Sequence, residues 1–198
     1  MKILAVLFDL DGTLTEPFLD FELIRAEIGI PAGPILEALE TLPAEPRARA
    51  LEILHRHEDQ AAAAAVLHPG AADLLSWLRG RGLPVGLVTR NRRECVERVC
   101  RTHHLRFDAI ITREDGPYKP DPFPITQSCL HLGVRPAHTL MVGDFLLDLQ
   151  CARAAGAISI LLNSHPGHAA YSAQADYVIS ALLELPKIIE EIEFSPEG

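Results

Sequence analysis

Acidic residues stand where apolar runs stop in this chain. The segment KILAVLFDLDGTLTEP carries an apolar run, Ile3 to Phe8, that ends at Asp9, with Asp11 two positions on and Gly12 and Thr13 behind it. Side chains alternate along a strand, so Asp9 and Asp11 can point the same way. Two carboxylates that close resist joint ionisation unless a cation sits between them or a function requires the pair. The same ending recurs. VGLVTRN closes on Thr89, GPYKPDPFP carries Lys119, and TLMVGDFLLD closes on Asp144 with Asp148 four residues later. Carboxylates in that number exceed what one lysine neutralises, and their hard oxygen atoms suit Mg²⁺. A carboxylate can also attack phosphorus, and a second one can protonate a leaving alkoxide and then activate water. Lysine and a divalent cation stabilise the charge on a transferring phosphoryl group, and the Thr89 hydroxyl can donate to one of its oxygens.

Elements that position such a set are legible from the apolar pattern. Strands are expected at Ile3 to Phe8, Val85 to Val88, Ala109 to Ile111, Thr139 to Val142, Ile158 to Leu162 and Tyr177 to Ile179. Their apolar runs are continuous rather than alternating, which is the pattern of strands covered on both faces. Helical patterns separate them, at Ala71 to Arg81, Arg92 to His104, Pro124 to Leu132, Leu147 to Ala155 and Ala181 to Glu193. This alternation predicts an α/β fold with a doubly wound parallel sheet. In such a sheet the strand ends that carry Asp9, Thr89 and Asp144 share one edge, the edge at which ligands bind. Residues 16–68 contain no strand pattern. They read as a helical insertion after the first strand, with helices at Phe18 to Gly29, Ile35 to Leu42 and Glu45 to Val66. The expected division is a core of residues 1–15 and 69–198 and a small helical cap of residues 16–68 above the sheet edge. Phe18, Phe21, Ile24 and Ile28 are spaced to form one buried helix face.

The sequence DLDGT, VT at the second strand end, KP, and GDxxxD, in that order, resembles the haloacid dehalogenase superfamily. The phosphoglycolate-phosphatase-like branch with a small helical cap fits best. That resemblance implies a Rossmann-like core over nearly all of the chain outside the insertion. It implies Asp9 as nucleophile, Asp11 as general acid/base, and Thr89 and Lys119 as phosphate contacts. It implies Mg²⁺ held by Asp9, the backbone carbonyl of Asp11, and Asp144, with Asp148 in support. Two positions depart from the commoner pattern. Arg90 stands where many relatives have asparagine, and is expected to contact substrate or the cap. Phe145 follows Asp144 where a small polar residue is common.

Within that superfamily the residues favour phosphomonoester hydrolysis. Dehalogenases need the first aspartate but neither the second as acid/base nor Mg²⁺, so the presence of Asp11 and the Asp144/Asp148 pair favours phosphoryl transfer. Schiff-base phosphonatases need a cap lysine, and the three lysines, Lys2, Lys119 and Lys187, all lie outside the insertion. A phosphomutase shares the same core residues and stays open, as does a non-catalytic phosphate-binding relative. Response-regulator receiver domains use a similar set of groups, but place the phosphorylated aspartate at the end of the third strand. Here that strand ends ITRED, with its acids beyond the apolar run.

The balance of 18 basic against 27 acidic residues, a formal net charge of −9, argues against nucleic acid as a partner. No apolar run is long enough to predict a membrane span, and the N-terminus has no signal-peptide pattern. Cys95, Cys100, Cys129 and Cys151 show no CxxC spacing and are expected as free thiols in a cytoplasmic protein. The expected partner is a small phosphorylated metabolite; the oligomeric state stays open. The insertion offers Arg25, Arg47, Arg49, Arg56, His55 and His57 as possible substrate contacts, each better read as part of a solvated face. His103, His104, His131, His165 and His168 show no ligand spacing, and Trp77 and Phe21 read as packing residues.

Overall fold

The structure, a computed structural model, describes residues 1–194. Six strands form one sheet: β1 Ala5–Phe8, β2 Val85–Val88, β3 Ala109–Ile111, β4 Thr139–Gly143, β5 Ile158–Leu162 and β6 Tyr177–Ile179. Their order is β3-β2-β1-β4-β5-β6, and every pairing is parallel. The chain winds outward from β1 to β3, returns to β4 on the other side of β1, and winds outward again. The reversal therefore falls between β1 and β4, where an open sheet leaves a crevice at its carboxyl edge. Phe8 pairs with Val142 there, and the Asp9 N–H donates to the Val142 carbonyl at 2.9 Å. Strand β1, AVLF, is buried throughout because apolar side chains cover both of its faces.

The helices after the insertion are α4 Ala71–Gly80, α5 Arg93–His103, α6 Phe123–Leu132, α7 Leu146–Ala155 and α8 Leu185–Phe194. Leu7, Val88 and Met141 from three adjacent strands meet Ile125 and Cys129 of α6 and Cys151 and Ala152 of α7 in one buried cluster. All four cysteines are free thiols. A 3₁₀ segment at Pro166–Gln174, which has no regular apolar period, joins β5 to β6. No helix among the described residues is long and apolar enough to cross a membrane.

The chain separates into two compact units, one of residues 1–17 with the residues from 66 on, the other Phe18–Ala65. The second unit holds α1 Phe21–Ile28, α2 Ile35–Glu40 and α3 Ala44–Ala64. Asp20 caps α1 by accepting from the Leu23 N–H at 2.9 Å. The unit has its own core of Ile24, Ile35, Leu39, Ala50 and Leu54. The expected apolar face of α1 is only partly buried. Ile24 is in the core, but Phe18 and Phe21 are more than half exposed, which corrects the packing role expected of Phe21. Phe18 precedes the helix, so helical spacing does not govern its direction. Within the alanine run, Ala61 and Ala62 are buried and Ala63 and Ala64 are exposed. Most of the unit's basic side chains are paired within it. Arg25 bonds Glu22 and the Gly33 carbonyl, Arg49 bonds Glu45, and Arg56 and His57 both reach Glu27.

Candidate active site

Asp9 directly follows β1, Asp144 directly follows β4, and Asp148 lies in the first turn of α7. Oxygen atoms of these three carboxylates lie within 4.8 Å of one another. Lys119 enters from the loop before α6 and is buried. Its ammonium donates to Asp9 Oδ1 at 2.8 Å, Asp148 Oδ1 at 2.6 Å and the Val88 carbonyl at 3.0 Å. These three bonds use all three ammonium protons. Lys119 therefore acts here as the counter-charge of two carboxylates, and a phosphate oxygen would have to share or displace one of those bonds.

The charge balance remains negative, and the carboxyl groups register it. Burial pushes the Asp9 carboxyl up to about 8, with the Asp148 and Asp144 charges adding to the rise and Lys119 opposing it. Burial likewise pushes Asp144 up to about 7, again with Asp148 adding, while the Thr13 hydroxyl and Lys119 oppose. For Lys119 burial favours the neutral amine, but Asp148 and Asp9 outweigh it and raise the ammonium above its ordinary value.

Each carboxylate is held by local structure. Thr13 Oγ1 donates to Asp144 Oδ1 at 2.9 Å. The Phe145 N–H donates to Asp148 Oδ2 at 3.1 Å, so Asp148 caps α7 while its other oxygen serves Lys119. Two glycines make room. Gly12 has φ +85°, and a Cβ there would lie 2.4 Å from Asp144 Oδ2. A Cβ on Gly143 would lie 2.3 Å from the Asp148 Cβ. Gly12→Ala is expected to displace Asp144 and to cost about 1 kcal/mol for the left-handed backbone. If the cluster holds Mg²⁺ through Asp144, affinity for the ion should fall about 10- to 100-fold, the usual loss when the support of a ligand is removed. Calorimetric titration of the folded variant with Mg²⁺ checks this; unchanged affinity would show that Asp144 does not need its present position.

The loop after β2 reaches two of the other predicted residues. Thr89 is buried at the strand end. Its hydroxyl oxygen accepts from the Asn91 N–H at 3.0 Å, which leaves the O–H as a donor. Asn91 Nδ2 donates to Asp11 Oδ2 at 2.9 Å. The Asp11 carboxylate is accordingly turned to Asn91 and is not one of the three clustered carboxylates. Arg90 Nη1 donates to the Lys119 carbonyl at 2.8 Å. The acids beyond β3 serve local structure: Asp115 accepts from the Thr112 N–H and hydroxyl and pairs with Arg93.

Sequence reasoning missed three contributors. Thr13 has no assigned role in the sequence pattern, and its place in DLDGT is the available signal. Asn91 sits one position beyond the place where asparagine is usual, so the offset hid it. His168 has no ligand spacing in sequence, yet its Nε2 stands 3.7 Å from Asp144 Oδ2. Burial and the neighbouring His165 hold that imidazole below its ordinary value. Tyr171 stacks on the ring of His168 and meets Phe145 edge-on at 5.3 Å between centroids. The half-exposed Phe145 thus has an aromatic neighbour beside the acidic site.

Comparison with known proteins places this arrangement among relatives. Residues 21–156 match the family model described as haloacid dehalogenase-like hydrolase. A haloacid dehalogenase-like hydrolase domain-containing protein of Arabidopsis thaliana is 31% identical, over 96% of this chain and 84% of its own. The N-acetylmuramic acid 6-phosphate phosphatase of Pseudomonas putida is also 31% identical, over 96% of this chain and 97% of its own. Among solved structures, a hydrolase from Pseudomonas syringae shares the fold with a TM-score of 0.81 at 23% identity, covering 95% of this chain and 98% of that one.

Proposed function

This chain belongs to the haloacid dehalogenase-like hydrolases, and from that premise we propose that it is a Mg²⁺-dependent phosphatase. It hydrolyses a small phosphorylated metabolite through an aspartyl-phosphate on Asp9. The observation that carries this reading is the convergence of Asp9, Asp144 and Asp148, with Lys119 bonded to two of them. Relatives named as phosphatases, among them that of Pseudomonas putida, support the reaction class. The four free thiols support a cytoplasmic setting.

The donor set fits Mg²⁺. It is made of hard oxygens, it carries more negative charge than Lys119 balances, and two of its carboxyl groups hold their protons toward neutral pH when no cation relieves them. Asp9, Asp144 and the backbone carbonyl of Asp11 would hold the ion, with Asp148 in support. When bound, the ion supplies positive charge against the phosphoryl oxygens. An Asp9 carboxylate oxygen attacks phosphorus, and the bond from phosphorus to the ester oxygen breaks. Asp11, oriented by Asn91, gives its proton to the departing alkoxide. In the second half Asp11 takes a proton from water as that water attacks phosphorus, which returns Asp9 to its carboxylate. Thr89 donates its O–H to a phosphoryl oxygen, and Lys119 keeps Asp9 charged and aligned. The helical unit of residues 18–65 is the proposed cap that selects among phosphomonoesters.

The test is phosphate release from a panel of phosphorylated metabolites with Mg²⁺, with chelator, and with Mg²⁺ restored. Chelator-resistant hydrolysis would refute the metal role, and absence of any hydrolysis would refute the phosphatase.

A pH dependence follows from the raised carboxyl groups. The unfolded chain releases both protons near the ordinary value of 3.8, whereas the folded, metal-free protein keeps them to about 7 and 8. The folded state thus binds more protons between those limits, so this contribution makes metal-free stability fall as pH rises from about 4 to about 8. Mg²⁺ competes with the protons, so the stabilisation it gives should grow over the same window. Thermal denaturation from pH 5 to 8.5, in chelator and in Mg²⁺, measures both. An Mg²⁺-dependent shift that is the same at every pH would contradict the prediction.

A further inference from the structure

Arg90 is where the motif after β2 departs from the commoner pattern, and its side chain runs to the loop that carries Lys119. Nη1 donates to the Lys119 carbonyl at 2.8 Å, and the guanidinium lies over the Tyr118 ring, 4.7 Å from its centroid. The Arg90 carbonyl in turn accepts from Arg113 Nη1 at 3.4 Å. A planar guanidinium can donate in its plane and stack on its face at once; an ammonium cannot do both. The grip falls on a segment outside any sheet ladder, steadied by the turn bond from the Asp121 N–H to the Tyr118 carbonyl at 3.0 Å. The Lys119 head is fixed on Asp9 and Asp148 only while its flexible stem starts from the right place.

We propose that Arg90 is a positioning residue for Lys119, clamping the Lys119 loop through its carbonyl and the Tyr118 ring, rather than a contact to a substrate anion. The proposal rests on the reading of Asp9 as the nucleophile that Lys119 serves. A small displacement of the ammonium weakens its bond to Asp9 in every turnover, whatever the leaving group. A lost substrate contact would instead weaken only substrates that carry the matching anion.

The experiment compares Arg90→Ala, Arg90→Lys, Tyr118→Leu and the double variant Arg90→Ala/Tyr118→Leu. Two phosphomonoesters are used, an aryl phosphate with an uncharged leaving group and a carboxylate-bearing alkyl phosphate. Arg90→Ala is expected to lower kcat about 10- to 100-fold alike on both, the scale of an ångström-level misplacement, with KM within about threefold. Arg90→Lys should recover only part of the loss. Tyr118→Leu should lower kcat in the same way, and the double variant should be little worse than Arg90→Ala, since both changes open one clamp. Hydrogen exchange at the Asp121 amide should speed up at least about tenfold in Arg90→Ala. A KM increase confined to the carboxylate-bearing substrate, or unaltered exchange at Asp121, would overturn the proposal. Where the wild type hydrolyses neither ester, two esters from the panel that it does hydrolyse, one with and one without a carboxylate, replace them; should it hydrolyse none of the panel, the phosphatase reading fails, and the exchange measurement still decides whether Arg90 holds the loop.

Discussion

Asp9→Asn is expected to abolish turnover, by at least about 10⁴-fold, while the protein stays folded. The amide oxygen of asparagine can still accept from Lys119 Nζ, which lies 2.8 Å from Asp9 Oδ1, so the packing around the site survives. What disappears is the nucleophile. An amide oxygen does not form a phosphoryl ester that water can hydrolyse back to enzyme, and removal of a covalent catalyst leaves only the residual assistance of the remaining groups. The change also removes one of three mutually repelling carboxylates. In chelator near pH 8 the variant should therefore unfold at a higher temperature than the wild type, because the folded wild type holds a proton at Asp9 that the unfolded chain has released. Steady-state assays and thermal denaturation of the same preparation check both halves. Turnover within about tenfold of wild type in a folded variant would remove Asp9 from its role.

Lys119→Met is expected to do the opposite to stability and less to chemistry. Methionine fills the volume but leaves Asp9 and Asp148 buried side by side without their cation, and leaves the Val88 carbonyl without its donor. Breaking a buried pair by removing one partner typically costs about 3–5 kcal/mol. The cost should be smaller near pH 5 than near pH 8, because protonation relieves a carboxylate that has lost its counter-charge. Turnover should fall by about 10²- to 10³-fold, the scale seen when one electrostatic contact to a developing charge is lost. Urea denaturation at both pH values, with the assay, separates the two variants. Asp9→Asn is dead but stable, Lys119→Met impaired and unstable. Equal stability of Lys119→Met and wild type at pH 8 would mean that the ammonium is not compensating buried charge.

The contrast shows which parts of the site could be read in sequence. The strands were legible because each is a continuous apolar run between helical patterns, and Ala5–Phe8 and Thr139–Gly143 end where acids begin. Parallel order then brought Asp9 and Asp144 to neighbouring strand ends. Support residues were harder, because a hydrogen bond across the site leaves no periodicity. Thr13 reaches Asp144 over 131 positions and Asn91 reaches Asp11 over 80. His168 lies in a 3₁₀ segment whose sequence has no regular apolar spacing, so nothing placed it near Asp144. The exposure of Phe18 has a related reason: spacing defines a helix face only within the helix, and Phe18 precedes α1, which begins at Phe21.

Arg90 illustrates a different limit. Its position in sequence suggests a contact to substrate or the cap, since it replaces a residue usual at that place. In the structure Nη1 donates to the Lys119 carbonyl. Sequence identifies the departure, and only the three-dimensional partner indicates what the departure does.

The most direct test of the whole account is to acid-quench the enzyme during turnover with Mg²⁺ and a phosphomonoester, and to locate any phosphoryl group on the protein by mass spectrometry. One phosphoryl group is expected on the peptide containing Asp9, absent from Asp9→Asn and lost on incubation in water. Phosphate release with no phosphoryl group on the protein, or with the group on another residue, would contradict it.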